Sequence, residues 1–132
     1  MAKSGVKALA LMAVTGAVLL ACDNQGAGAQ SASAARSISA SDKRQGASAH
    51  PQLLQEFGGA YSGSQAAYVT SVGRRIAVQS GLSNSQQDFT ITLLNSPVNN
   101  AFAIPGGYVY VTRQLLSLMN DEAELASVLG HE

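Results

Sequence analysis

A chain of 132 residues holds one modest domain at most. Eight Lys and Arg balance eight Asp and Glu, aromatic residues make up 5%, and Trp is absent, so neither a basic stripe nor stacking rings argue for a nucleic-acid partner. The 13 glycines and the long Ala/Ser stretches raise the apolar count without implying a large core.

Residues 1–21 are expected to be a targeting segment. Lys3 and Lys7 form a positive start, and Ala8 to Ala21 is an uncharged, mostly apolar run. That run falls short of the roughly 20 residues that span a bilayer, so a transmembrane anchor is the weaker reading. The single cysteine, Cys22, follows directly and has no internal disulfide partner. A lone Cys can be an incidental buried residue. Here Leu19-Leu20-Ala21-Cys22 resembles a bacterial lipobox, which implies a lipidated Cys22 and a membrane anchor through it. The expected location is the cell envelope, lipid-anchored and facing the periplasm, with inner and outer membrane both open. Residues 23–50 are rich in Ala, Ser, Gly and Gln, with Ile38 as the only large aliphatic side chain. Such a stretch reads as a disordered linker, because it buries too little surface to offset its ordering entropy. His50 is then a linker residue.

The folded part is expected over residues 51–132. Pro51 to Phe57 reads as a short helix broken by Gly58-Gly59. A second helix opens at Ser64 or Gln65 and runs to about Ser80, with Tyr68, Val72 and Ile76 on one face, Val69 beside it and Gly81 as its stop. Arg74 and Arg75 project to solvent or into an ion pair. Asp88 to Asn95 alternates Phe89, Ile91 and Leu93 with Thr90 and Thr92, which is strand periodicity. Ala101 to Ile104 is a short strand, Pro105-Gly106 suits a type II turn, and Tyr108 to Thr112 is strongly β-prone. Arg113 to Met119 is a short helix.

The last helix carries the chemistry. Asn120 or Asp121 can cap it, and acids at 121, 122 and 124 suit its first turn. Leu125, Val128 and Leu129 form an apolar stripe, and Glu132 continues it at i+7 from Leu125. The helix reaches His131-Glu132. In an H-E-x-x-H helix two histidines at i and i+4 share one face and bind zinc, and the Glu activates a metal-bound water. A bare His-Glu pair says little alone. A charged Glu on a core-facing stripe needs a partner, and a metal-bound water would be one. The alternative is a frayed end with a solvated Glu132.

The run Asn100-Ala101-Phe102-Ala103-Ile104-Pro105-Gly106-Gly107-Tyr108-Val109-Tyr110-Val111-Thr112, followed by Leu115-Leu116 and by Glu124-Leu125-Ala126 leading to Gly130-His131-Glu132, resembles the HtpX/BepA-type zinc metallopeptidases, which include the CAAX prenyl proteases. Weaker likeness reaches back to Tyr68. The resemblance implies an α+β fold, namely the N-terminal part of a zincin-like metallopeptidase domain. It implies Zn²⁺ as cofactor, His131 as first metal ligand, Glu132 as catalytic base, and protein or peptide substrates. It also implies that the strand around Tyr108 to Val111 is the edge that pairs with substrate, giving Asn100, Ala101, Tyr108, Val109 and Tyr110 as substrate-binding residues. For the rings of Tyr108 and Tyr110, ordinary strand packing is equally open, and Asn100 either bonds substrate or holds its turn. A second His would fall at position 135, outside this sequence, so the chain by itself is expected to be inactive. The competing class is a non-enzymatic envelope lipoprotein, an interaction module or an inactive remnant.

Overall fold

The computed structural model describes residues 36–132. The targeting segment, Cys22 and the first part of the linker lie outside the described residues. The fold is α+β, as expected: helices on both faces of a three-stranded mixed sheet.

Helix α2 (Ser64–Ala77) forms where the sequence places it and tightens into a 3-10 turn over Val78–Ser80. Its buried residues are Val69, Val72 and Gly73, while Tyr68 is 43% exposed, so the core face is turned about one position from the Tyr68-Val72-Ile76 line. Strand β1 (Thr90–Leu94) lies under α2. Strand β2 (Ala101–Ile104) and strand β3 (Tyr108–Thr112) form a hairpin through the Pro105-Gly106-Gly107 turn. Gly106 takes φ 97°, which a type II turn requires at its third residue. The sheet order is β1-β3-β2, with β1 parallel and β2 antiparallel to β3.

Helix α3 (Arg113–Leu116) follows β3 directly, and Thr112 caps it by accepting the Leu115 amide at 3.3 Å. Helix α4 (Glu122–His131) starts at Asp121, whose carboxylate accepts the Glu124 amide at 2.9 Å. Glu124 in turn accepts the Asn120 amide at 2.7 Å, so the two acids satisfy orphan donors reciprocally. On one sheet face Ile91, Leu93 and Val111 pack with Val69 and Val72 of α2 and with Leu125 and Leu129 of α4 into the core cluster. An exposed ion pair, Arg75 to Glu122 at 2.5 Å, joins α2 to α4.

The other face corrects the linker reading. Residues 40–50 are helical: α1 (Ala40–Glu56) is one 17-residue helix that runs through Pro51. Ser39 caps it by accepting the Asp42 amide at 3.1 Å. Ala, Lys, Arg and Gln in this stretch are good helix formers, and its scarcity of large apolar side chains concealed the helix. Its docking needs few such side chains because Gly46 sits against the sheet. A Cβ there would collide with the Pro105 carbonyl oxygen and with the Tyr108 ring. Farther along, the Phe57 ring meets Phe102 at 5.2 Å between centroids. His50 is a packed residue and not a linker residue: its Nδ1 bonds the Tyr110 hydroxyl at 2.8 Å. Ile38, just before α1, packs on the core cluster.

Candidate active site

One cavity of about 590 Å³ is enclosed by the segment leading into α1, the end of α2 with the 3-10 turn that follows it, the β2–β3 hairpin with its turn, and the last turn of α4, with Phe89 beside them. Leu129, Gly130 and Glu132 line it from α4, and Ala103, Ile104, Tyr108 and Val109 line it from the hairpin. Glu132 is exposed at the C-terminal end of α4, and Leu129 beneath it is buried. The stripe that Glu132 was expected to continue is thus real at Leu125 and Leu129, and the carboxylate itself is solvated at the cavity rim. His131, on the last turn of α4, is exposed and is not part of the cavity lining.

The expectation that Tyr108 to Val111 form an edge does not hold. β3 is the central strand, so its backbone is already paired on both sides. The free edge of the hairpin is β2. Thr112 donates its amide to the Asn100 carbonyl at 3.0 Å, so Asn100 and Thr112 face each other at a hydrogen-bonded position. In an antiparallel ladder such positions alternate, which puts the next bonded pairs at Phe102 with Tyr110 and Ile104 with Tyr108. The backbone N–H and C=O groups of Ala101 and Ala103 therefore point outward from the sheet. The open edge is β2 and not β3, and it carries Ala101 of the expected residues. Ala103, in the same motif, completes it.

Asn100 acts as a brace through its backbone. Its N–H also reaches the Thr112 hydroxyl at 3.2 Å. Tyr110 is fully buried under α1 and stacks on Phe102 at 4.8 Å. Burial, with the neighbouring Tyr108 hydroxyl adding to it, pushes the Tyr110 phenol up to about 12. It stays protonated and hydrogen-bonded to His50 at neutral pH. Tyr110 thus supports β3 from the face opposite α4, while Tyr108 and Val109 reach the cavity.

Zinc places a simple demand on these residues. Structural and catalytic sites draw on at least three protein ligands. Among the described residues no group of three His, Cys, Asp or Glu lies together. Of the two imidazoles, His50 is engaged with Tyr110, which leaves His131. The residues present do not by themselves make a zinc site.

Glu132, at the end of α4, and the open edge strand β2 thus border the same cavity. The class of protein comes from comparison with known proteins. The Peptidase family M48 profile matches residues 63–132. A mitochondrial metalloendopeptidase OMA1 from Schizosaccharomyces pombe is 33% identical over 94 residues, covering 69% of this chain and 27% of that protein. One of the same name from Arabidopsis thaliana is 40% identical over 42 residues, covering 32% of this chain and 9% of its own length. The chain belongs to peptidase family M48, whose members are zinc metallopeptidases, and it spans about a quarter or less of these two relatives.

Sequence reasoning missed the contribution of Ile38 and Asp42, which line the cavity from the start of α1. The signal was the Ser39-Ala40-Ser41-Asp42 spacing, a helix-start signature inside a stretch that composition marks as linker.

Proposed function

We propose that this chain is the N-terminal part of a lipid-anchored zinc endopeptidase of the cell envelope, facing the periplasm, with Cys22 as its anchor. The observation that supports this reading most is the cleft shared by Glu132 and the outward-facing backbone of β2. A polypeptide in extended form adds to such an edge through main-chain hydrogen bonds, with little demand on sequence. Substrates are then envelope proteins that expose extended segments, misfolded ones among them. In this reading Ala101 and Ala103 hold the substrate backbone, Glu132 is the general base, and His131 is a metal ligand. Tyr108 and Val109 shape the cavity, and Tyr110 and Asn100 hold the hairpin. Zinc sites draw on at least three protein ligands, and among the described residues no such group lies together, so the 132-residue chain alone is expected to hold zinc weakly.

Zinc content and casein cleavage test this, measured on the chain, on a longer product that supplies further ligands, and on two variants of that product. Glu132→Gln should keep zinc and lose most turnover, because it removes a base and not a ligand. His131→Ala should lose both. Stoichiometric zinc with chelator-sensitive proteolysis in the short chain would overturn the ligand assignment. For the anchor, labelled fatty acid should enter the wild type and not Cys22→Ser; unlabelled wild type would exclude lipidation.

A further inference from the structure

The cavity beside Glu132 is lined by two charged residues among those described, and both are acids. Glu132 stands at one side. Asp42, in the first turn of α1, stands at another. The walls are mostly apolar, with Ile38, Phe89 and Leu129 among them, and their neutral polar side chains include Ser39 and Gln79. The nearby bases are committed elsewhere. Lys43 pairs with Asp88 at 2.7 Å, and Arg36 donates to the Gly81 carbonyl at 3.4 Å. Asp42 forms no ion pair among the described residues.

Asp42 is also placed along the path of a peptide on β2. Its carbonyl oxygen abuts the turn that ends that strand: a Cβ on Gly106 would lie 2.6 Å from it. A segment paired at Ala101 and Ala103 and continuing past Ile104 runs toward Asp42. At about 3.3 Å per residue, the side chain that meets Asp42 is within a few positions of the one opposite Ala103.

We propose that Asp42 is a specificity-determining residue of the cleft, which selects extended segments carrying an apolar side chain next to a basic one. The inference rests on the cleft reading given above. A Lys or Arg can lay its methylene stem along the apolar wall and bring its charge to Asp42. An acidic side chain at that place would meet like charge. Asp42 lies upstream of residues 63–132, so this selection is built by a segment outside the family-matched stretch.

The test uses the ¹⁵N-labelled 132-residue chain and blocked alanine-rich peptides that contain one Leu followed by Lys, Gln or Glu. Affinity is read from the amide shifts of Ala101 and Ala103. The Lys peptide should bind about threefold more tightly than the Gln peptide, with the Glu peptide weakest. Added salt should compress the series. Asp42→Asn should level it, and Asp42→Lys should invert it, an outcome that a merely structural role for Asp42 does not produce. Unchanged ordering in Asp42→Lys, with the Ala101 and Ala103 shifts retained, would overturn the role of Asp42 and leave the cleft. Absence of those shifts with every peptide would overturn the cleft reading, and this inference with it.

Discussion

The two faces of the sheet are covered by different means. Toward α2 and α4 the contact is mostly aliphatic, with Val69, Val72, Leu93, Val111, Leu125 and Leu129 buried and Phe89 as the one aromatic ring of the buried cluster. Toward α1 it is aromatic and polar: Phe57 on Phe102, His50 on Tyr108 and Tyr110, and a glycine where the helix comes closest. The first face buries hydrocarbon and carries most of the stability. The second contributes less burial and more positioning, because it holds the β2–β3 turn and brings Ile38 and Asp42 to the cavity wall.

The contrast can be broken at several points. Leu125→Ala empties a fully buried position between α4 and α2 and should cost about 2–5 kcal/mol in urea unfolding. Gly46→Ala gives a result whose sign decides. In an undocked helix it would stabilise by about 1 kcal/mol through propensity. Docked as described, the new Cβ strikes the Pro105 carbonyl and the Tyr108 ring, and a net loss of about 1–3 kcal/mol is expected. A gain in stability would show that α1 does not rest on the turn.

Tyr110→Phe removes the 2.8 Å bond to His50 and should cost about 0.5–1.5 kcal/mol at neutral pH. It also tests the raised phenol. The unfolded chain ionises Tyr110 near 10.0 and the folded one near 12, so the stability linked to this group is complete below 10 and falls as pH rises through that window. Base titration of unfolding should show the fall in wild type, and a smaller one in Tyr110→Phe. The smallest effect concerns Asp88. Hydrogen bonds from Lys43 and Ser83 hold its carboxyl below the usual carboxylate range. Its contribution is present above the unfolded value and is lost as pH falls through the folded one. Lys43→Met should flatten that acid limb, and an unchanged limb would show that the pair contributes nothing.

What was legible in the sequence follows the same division. Alternation of Phe89, Ile91 and Leu93, the Pro105-Gly106 turn and the Leu125-Leu129 stripe locate β1, the hairpin and α4, because burial against an aliphatic layer imprints a period. The same local pattern does not say which strand lies in the middle. The edge at Tyr108 to Val111 was implied by the family resemblance, while the residues of that strand give only its β propensity; β1 pairing in parallel on its far side is a non-local event. α1 was hidden for a different reason. Its contact uses Gly46, His50 and a cap at Ser39, none of which raises local hydrophobicity. The candidate site divides likewise. The sequence pattern brings α4 to His131 and Glu132, of which Glu132 lines the cavity, whereas Asp42 joins it only through the path of a helix that composition concealed.

Amide hydrogen exchange, residue by residue through the hairpin, reads out whether β2 offers an open edge beside Glu132 while β3 does not. Fast exchange is expected at Ala101 and Ala103, slow exchange at Phe102 and Ile104, and uniformly slow exchange from Val109 to Thr112, which is paired on both sides. Protection at Ala101 and Ala103 together with fast exchange along Val109 to Val111 would place the edge on β3 and contradict that pairing.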